Sequence, residues 1–408
     1  MKRPRVVILG AGFGGLTAAR SLTKHCEVTL IDKNNFQTFL PLLYQVSTAG
    51  LAADHIAYPI RSALRKSDIK FRMGTPISID HKNKSIKIDS SEVFNFDYLV
   101  VALGSVTNDF GIPGVSQHAL GMKSVQEALH IRSTILRHFE DLCRFTDSSE
   151  MVINIIGGGP TGVEMAGAIA ELRKGPLRLD LANAAEKIKV NIIEAGPRLL
   201  PSFSPSLSKK SKESLEKLGV KVKTNKAVKE IKARELIYKD GIKLRSDLTI
   251  WTAGVSGEPT MNKLHLPSER GRISVEPTLQ VTNYPYIFAI GDNAGFKDEQ
   301  GHFLPMVAPV AMQQGRFLAK QIKQLENGLP ALKFKYRDKG SMATIGRHKA
   351  VVEVGKIKFS GIPAWYAWLW LHLFYLLGGR NKIGTMADWT WNYLTFDRSN
   401  RHIIDIKE

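Results

Sequence analysis

Four short runs of apolar and β-branched residues end in or just before a glycine, a pattern that predicts buried parallel strands. A helical pattern directly follows two of these runs, and short strand patterns separated by polar turns precede the other two. The four runs lie at residues 6–10, 97–104, 152–157 and 247–254. Because the same succession occurs twice, we predict an α/β protein built from two similar units, the second inserted within the first.

The remaining segments give a coarser prediction. Helical patterns cover residues 124–145, 206–218 and 308–320, and short strands alternate with polar turns over 68–98 and 220–248. Residues 35–51 contain Pro41 and match neither period. A buried connection and a wall beside a binding site are both open interpretations of that segment.

The glycines after the first run have the spacing GxGxxG, at Gly10, Gly12 and Gly15. In this motif the first glycine permits a tight turn, the second lets the backbone approach a pyrophosphate, and the third lets the helix pack closely on the strand. The start of the helix then offers unpaired N–H groups to the phosphates. Asp32 ends the next strand, 22 residues after Gly10, where an acid binds ribose hydroxyl groups. Together these features predict a dinucleotide site.

A second copy of the motif follows the third run, at Gly157, Gly159 and Gly162. Its acid, Glu194, lies 37 residues after Gly157, so we expect an inserted loop around residues 178–187. A carboxylate at that position repels a 2′-phosphate and favours a dinucleotide without one, although the nearby Arg198 weakens this preference. Two dinucleotide sites in one chain predict a redox enzyme that passes electrons between two cofactors.

A further apolar strand, residues 286–290, ends at Gly291 and Asp292. A glycine and an aspartate at this place are either a ligand contact at the edge of the sheet or the start of a helix. The helical pattern that follows carries Gln313 and Gln314 near its start. Their proximity to this turn makes one of the two a candidate site residue.

Composition changes the picture in three ways. A chain of 408 residues suggests two or three domains, and its formal net charge of +19 favours polyanionic partners. Because no nucleic-acid-binding motif is present, we expect a membrane surface and no nucleic acid. The two cysteines, Cys26 and Cys143, form no CxxC pair, which argues against a disulfide framework, a metal site or an iron–sulfur cluster. The first strand begins after five residues, so we expect no signal peptide and a cytoplasmic location.

Residues 362–377 form the most apolar stretch of the chain. As a helix it would be ~24 Å long, short of the ~30 Å of a bilayer core. Trp365, Trp368 and Trp370 favour the interface, and residues 335–408 carry 12 Lys and Arg against 6 Asp and Glu. We therefore predict a monotopic anchor on an anionic leaflet. A buried helix at a dimer interface remains an alternative, and both can hold.

By these motifs the chain resembles flavoproteins with two dinucleotide-binding domains, and within them the type II NADH dehydrogenases, which are single-subunit, non-pumping NADH:quinone oxidoreductases. The segment FLPLLYQVSTAGL at 39–51 is similar to that family's segment beside the flavin, and GGGPTGVEMAGAIAE at 157–171 to its NADH segment. APVAMQQG at 308–315 resembles the quinone-site motif AQxAxQxG, with Gln313 at the second glutamine and Pro309 in place of the first.

The resemblance implies FAD at the first fingerprint, NADH at the second and a membrane quinone as acceptor. It implies a role for Glu164 in nucleotide binding or proton transfer, and a quinone contact for Gln313, with Tyr44 and Gln314 as lesser candidates. A homodimer is also expected. The residues assigned to FAD are Gly10, Gly12, Phe13, Gly14, Gly15, Asp32, Lys33, Ala102, Gly104, Gly291 and Asp292. Those assigned to NADH are Gly157, Gly159, Pro160, Thr161, Gly162, Glu164, Glu194, Ala253 and Gly254.

The predicted domains are an FAD domain in two parts, an inserted NADH domain and a membrane-anchoring helical region. Their boundaries are 1–113 and 251–334, 114–250, and 335–408 respectively. Two alternatives use the same fold: a sulfide:quinone oxidoreductase, which needs reactive cysteines, and a reductase for a soluble electron-carrier protein. An alternative from another class is a regulatory NADH-binding protein that turns over slowly and signals the redox state. Which quinone is used and which residue delivers protons stay open at this stage.

Overall fold

The computed structural model describes residues 3–144 and 150–404, which form two compact α/β units. The first unit comprises residues 3–37, 58–106 and 255–338. The second comprises 38–57, 107–254 without 145–149, and 339–404. The division differs from the predicted ligand domains in that residues 38–57 and the C-terminal region join the inserted segment. The assignment of domains to cofactors therefore stays a prediction.

The first unit is built on a six-stranded sheet that is parallel apart from one edge strand. Arg5–Leu9 lies in the middle of this sheet, between Glu27–Asp32, which is the next strand in sequence, and Tyr98–Val101, which comes much later in the chain. The carboxyl end of Arg5–Leu9 is therefore a topological switch point. From edge to edge the strands are Gln280–Val281, Tyr284–Ala289, Tyr98–Val101, Arg5–Leu9, Glu27–Asp32 and Lys70–Met73. The side chains of the central strand are buried almost completely, as its unbroken apolar run predicts.

Smaller elements complete the first unit. Its helices are Phe13–Leu22, Ile60–Leu64 and Ala308–Glu326, with 3₁₀ turns at Pro259–Leu264 and Gly291–Asn293. Its antiparallel strands are Pro76–Asp80, Ser85–Ile88 and Val93–Asn95, with a hairpin of Ser268–Glu269 and Arg272–Ile273. The short strands Phe36–Thr38, Ala57–Pro59, Ser105–Thr107 and Val255–Gly257 lie where the chain passes between units.

The second unit repeats the plan with a four-stranded parallel sheet, Val220–Lys223, Ile188–Ile193, Met151–Ile156 and Leu248–Trp251. An antiparallel sheet of Val228–Lys232, Glu235–Tyr238 and Lys243–Arg245 accompanies it. The helices before the C-terminal region are Leu43–Ser47, Val115–His118, Val125–Arg144, Pro160–Lys174, Pro176–Asp180, Ala182–Glu186 and Pro205–Lys217, with 3₁₀ turns at Leu40–Leu42 and Ala53–His55. The loop expected at 178–187 was therefore wrong, because two short helices occupy it. The predicted helix end at Phe145 lies outside the described residues.

The C-terminal region contains an antiparallel sheet that the sequence pattern did not predict, Ser341–Gly346, Lys349–Val354 and Ile357–Ser360. Two helices follow it, Ile362–Tyr375 and Gly379–Thr395. Within the described residues no helix is both long enough and apolar enough to cross a bilayer.

Several contacts fix this region to the rest of the second unit. A Cβ at Gly167 would lie 2.2 Å from the carbonyl oxygen of Ile345, so only a glycine admits the first strand so close to the helix Pro160–Lys174. The buried guanidinium of Arg398 donates to the carbonyls of Thr48 and Ala168, at 2.8 and 3.1 Å, and pairs with Glu171 at 3.3 Å. The C-terminal region is thus integral to the unit.

Candidate functional site

The first fingerprint forms a tight turn with one open side. A Cβ on Gly10, whose φ is +101°, would lie 2.2 Å from the carbonyl oxygen of Ala102, and one on Gly15 would lie 1.8 Å from that of Gly10. Beside Gly12, by contrast, an added Cβ meets nothing within 4 Å. Gly12 is the N-cap of the helix Phe13–Leu22, and no side chain caps that helix. The N–H groups at the start of this helix therefore face a space suited to a pyrophosphate.

Asp32 reaches back to the same turn. Its carboxylate accepts the N–H of Ala11 at 2.6 Å and that of Asn34 at 2.7 Å, and its burial raises its pKa. The next residue, Lys33, pairs with Glu258 at 2.9 Å.

The second fingerprint has the same geometry. Gly157 has a φ of +111°, and a Cβ on it would lie 2.7 Å from the backbone of Ala253. A Cβ on Gly162 would lie 1.9 Å from the carbonyl oxygen of Gly157, whereas one on Gly159 meets nothing within 4 Å. Gly159 caps a helix whose first residues, Pro160 and Thr161, are exposed.

Like Asp32 in the first unit, Glu194 accepts hydrogen bonds from main-chain N–H groups of the glycine turn and of its own loop. It accepts the N–H groups of Gly158 and Gly196, both at 2.6 Å. The guanidinium of Arg198 is engaged elsewhere, since it donates to the carbonyls of Phe203 and Pro201 at 2.9 Å each. Each fingerprint thus forms what is here called a cradle: the glycine turn, the start of the helix that follows it, and the carboxylate of Asp32 or Glu194 at the rim. The two cradles lie at the switch points of the main sheets of the two units.

The turn at Gly291 and Asp292 lies against the start of the helix Ala308–Glu326 in the first unit. The N–H of Gly291, which has a φ of +67°, donates to Oε1 of Gln314 at 2.7 Å. Asp292 accepts a hydrogen bond from Ser105, and the buried Asn293, which the sequence analysis missed, accepts the N–H of Gly104 at 2.8 Å.

The two adjacent glutamines have different surroundings. Gln313 is tied to the main chain of Arg337, to which it both donates, at 2.9 Å, and accepts, at 3.0 Å. Gln314 is 1% exposed, and its Nε2 has no hydrogen-bond partner among the described residues. Pro309 lies in the first turn of this helix, where a missing N–H costs no hydrogen bond.

Glu164 lies one turn into the second fingerprint's helix, and burial raises the pKa of its carboxyl group to about 8. Part of the residue's surface is accessible, yet the carboxyl group itself is desolvated. The N–H of Thr344 donates to it at 3.3 Å. The buried indole N–H of Trp368 lowers the same pKa without completing a hydrogen bond of good geometry.

Tyr44 is 7% exposed, and burial raises its pKa well above the ordinary value. Its hydroxyl lies 2.9 Å from the hydroxyl of Thr344 and accepts the amide of Gln45 at 3.0 Å. The structure therefore surrounds Tyr44 and Glu164 with two residues that the sequence did not single out, Gln45 and Thr344, and with Trp368, which was expected at a membrane interface but is buried.

The two C-terminal helices each expose an apolar face. On the first helix the exposed residues recur every four positions, and Trp370 and Phe374 are 71% and 72% exposed. The opposite face is buried through Trp365 and Trp368. The exposed apolar residues of both helices, here called the aromatic face, are Ile362, Tyr366, Trp370, Leu371, Phe374, Tyr375, Ile383, Met386, Trp391 and Leu394. Large exposed apolar side chains gathered on one region of a chain are typical of interaction sites.

Neither cysteine has the surroundings of a reactive thiol. Cys26 is buried, and burial raises its pKa to about 11. Burial also raises the pKa of Cys143. Thiolate chemistry needs the opposite shift.

The fold of the two units and the two cradles place this chain in a class of proteins, the oxidoreductases with two nucleotide-binding units. The family described as pyridine nucleotide-disulphide oxidoreductase matches residues 4–315, and the NDH2 C-terminal domain matches residues 339–398. Two type II NADH:quinone oxidoreductases of Mycobacterium tuberculosis, Ndh and NdhA, are similar at 35% and 37% identity over 99% and 96% of this chain, and over 91% and 87% of their own lengths. The chain belongs to the type II NADH:quinone oxidoreductases, with FAD as cofactor and NADH as substrate.

Solved structures of lower identity share the fold. NDH2 from Plasmodium falciparum, in complex with NADH, has a TM-score of 0.90 at 22% identity and covers 99% of this chain and 100% of its own. The sulfide:quinone oxidoreductase of Aquifex aeolicus has a TM-score of 0.76 at 18% identity, covering 96% and 95%.

Proposed function

We propose that this chain transfers two electrons from NADH, by way of FAD, to a membrane quinone without pumping protons. The observation that carries the proposal is the doubled cradle, with open space beside Gly12 and Gly159 and a carboxylate at each rim. When bound, FAD accepts a hydride from NADH and passes two electrons to the quinone. Purified protein should therefore oxidise NADH rapidly only when a short-chain quinone is present. Oxidation at the same rate without quinone would contradict this.

The residues around the first cradle suit FAD. The helix that begins after Gly12 offers N–H groups to the pyrophosphate, and Asp32 offers carboxylate oxygens to ribose hydroxyl groups. At the other end, Asp292 is the candidate for the ribitol chain. The buried Nε2 of Gln314 is a donor with no acceptor in the part of the chain that the structure describes, and flavin carries carbonyl oxygens that accept. The remaining FAD residues assigned from the sequence line the same turn and its neighbouring strand ends.

The second cradle suits NADH in the same way. Gly159 and Thr161 lie at the start of the helix that would receive the pyrophosphate, and Glu194 would accept from the adenosine ribose. Because Arg198 is bound to two carbonyls of its own loop, it is not directed at a 2′-phosphate. We therefore propose that NADH is preferred over NADPH.

The residues assigned to quinone reduction have different surroundings, and we propose a different role for each of them. Gln313 keeps the role that the resemblance gives it, with its amide already oriented by the main chain of Arg337. Tyr44 is buried and hydrogen-bonded on both sides, which suits an indirect role. Glu164, with a pKa of about 8, carries a proton at neutral pH and is the candidate donor or relay when the quinone is reduced.

We further propose that the aromatic face docks on the cytoplasmic leaflet of an anionic membrane. Trp370 and Phe374 would enter the headgroup region, and Lys382, which donates to the Phe374 carbonyl at 3.1 Å, would remain beside the phosphates. A second copy of the chain, forming the expected homodimer, is the other occupant of this face. Flotation with anionic vesicles, set against sedimentation of the lipid-free protein, distinguishes lipid binding from dimer formation.

The same-fold alternatives lose support on specific residues. The raised pKa values of Cys26 and Cys143 argue against sulfide chemistry at these thiols. A soluble electron-carrier protein would not need the aromatic face. Replacing the exposed Trp370 and Phe374 by serine tests this alternative, because a carrier reductase should keep its activity towards its carrier.

A further inference from the structure

Four buried side chains link the second C-terminal helix to Glu164, all within the second unit. The indole N–H of Trp389 donates to Oε1 of Gln45 at 2.7 Å, and Nε2 of Gln45 donates to the Tyr44 hydroxyl at 3.0 Å. That hydroxyl lies 2.9 Å from Oγ1 of Thr344, whose main-chain N–H contacts Glu164 at 3.3 Å. The four side chains are between 5% and 8% exposed.

Trp389 fixes the direction of this chain of hydrogen bonds. An indole N–H can only donate, so the carbonyl oxygen of the Gln45 amide must face it. The NH₂ group of Gln45 then faces Tyr44 and donates. Among the described residues, Oγ1 of Thr344 is the acceptor left for the phenol proton. A flipped Gln45 amide would set two donors against each other at Trp389, at a cost typical of an unsatisfied buried polar group.

We propose that Trp389 is a positioning residue for Glu164, acting through Gln45, Tyr44 and Thr344. Its donor orders the amide and the phenol, and these hold the Thr344 strand so that its main-chain N–H lies against the Glu164 carboxyl group. The inference rests on the role proposed above for Glu164 in proton transfer. Nothing in this chain of contacts requires Trp389 to touch NADH, FAD or quinone.

The helix Gly379–Thr395 therefore has two faces with different tasks. Trp389, Thr385 and Asn381 are buried, and Asn381 donates to the carbonyls of Asp54 and His55 at 3.0 Å. Trp391, only two residues from Trp389, is 54% exposed on the aromatic face. Trp391 is thus a matched control, because it has the same side chain on the same helix without the hydrogen bond to Gln45.

The test is the pH dependence of kcat for NADH oxidation with a short-chain quinone, which removes membrane docking as a variable. The wild type should lose activity as Glu164 loses its proton, near pH 8. Trp389→Phe keeps an aromatic ring but removes the donor. The Thr344 N–H, which lowers the pKa of Glu164, is then less well held, so the fall in activity should move to higher pH by roughly half a unit, about threefold in the proton equilibrium.

Other groups near Glu164 do not complicate this shift. The phenol of Tyr44 stays neutral over the range because burial raises its pKa far above 10, and the indole of Trp368 does not titrate. Arg398, whose pKa is lowered by burial and raised by Glu171 and by Tyr44, remains a cation.

Companion variants keep the test decisive if Trp389→Phe folds poorly. Tyr44→Phe and Thr344→Val break the same chain and should shift the profile in the same direction, whereas Thr344→Ser keeps the hydroxyl and should behave as the wild type. Trp391→Phe should leave the profile unchanged. Glu164→Gln should abolish the fall, and Trp389→Phe should then have no further effect on the profile.

The two ways of failing are distinguishable. If Glu164→Gln retains the fall, the role of Glu164 is wrong and this inference fails with it. If Glu164→Gln abolishes the fall but folded, flavin-loaded Trp389→Phe leaves it in place, only the positioning role is wrong.

Discussion

Replacing Gly159 with alanine should weaken NADH binding while leaving the protein folded and loaded with FAD. Gly159 has φ −71° and ψ −179°, which alanine adopts without strain, and a Cβ there meets nothing within 4 Å. The added methyl group instead occupies the space through which a pyrophosphate would approach the helix N-terminus. The substitution therefore acts on the ligand and not on the fold.

The expected increase in the Kd for NADH follows from the hydrogen bonds that a displaced phosphate would lose. One hydrogen bond between a main-chain N–H and a charged phosphate contributes about 1.5–3 kcal/mol. Losing one such bond should raise the Kd for NADH by about ten- to a hundredfold. Gly162→Ala is the contrasting variant, because its Cβ would lie 1.9 Å from the carbonyl oxygen of Gly157. That variant should lower the unfolding temperature of the second unit.

The assay is stopped-flow reduction of the bound flavin at increasing NADH concentrations, with flavin content and thermal unfolding measured on the same samples. Gly12→Ala is the mirror control, since its Cβ also meets nothing within 4 Å and it should reduce flavin content instead. A Gly159→Ala protein with wild-type Kd for NADH, or one that unfolds as readily as Gly162→Ala, would refute the reasoning about the cradle.

Three further predictions concern other contacts. Glu194→Ala should raise the KM for NADH severalfold with little change in kcat, and an unchanged KM would refute its assigned place on the ribose. The double variant Trp370→Ser and Phe374→Ser should lose flotation with anionic vesicles but keep activity with a short-chain quinone; retained flotation would contradict the docking role of the aromatic face. His55 lies 2.8 Å from Asp388, which raises its pKa, so the ion pair stabilises fully below about pH 6.5 and less as the pH rises through the higher folded value. Asp388→Asn should therefore lower the free energy of unfolding by about 1 kcal/mol at pH 6 and by less at pH 9, and an equal loss at both pH values would contradict the ion pair.

The sequence predicts the cradles well because their chemistry is local. A strand, three glycines and an acid at the end of the next strand constrain one another, and Asp32 and Glu194 both lie at the rims where that logic puts them. The helix Ala308–Glu326 was also expected. What the sequence could not decide is which of Gln313 and Gln314 is buried, because adjacent residues lie about 100° apart on a helix and both are polar.

Two features were beyond prediction for physical reasons. The strands over 341–360 are short and separated by tight turns, so no window shows a clear alternation, and the first of them packs against the helix Pro160–Lys174 far away in sequence. The helix Ile362–Tyr375 is apolar all round, so its pattern cannot reveal that Trp368 is buried while Trp370 is exposed. Only the packing of the second unit separates these two faces.

The central claim is that electrons pass from NADH at the second cradle, through FAD at the first, to a quinone. The most direct measurement follows flavin absorbance in two anaerobic stopped-flow steps, first mixing with NADH and then with a short-chain quinone. The account predicts rapid bleaching by NADH, much slower bleaching by NADPH, and rapid return of the oxidised spectrum with quinone. Flavin that is bleached by NADH but not reoxidised by quinone would contradict the account and indicate a different acceptor.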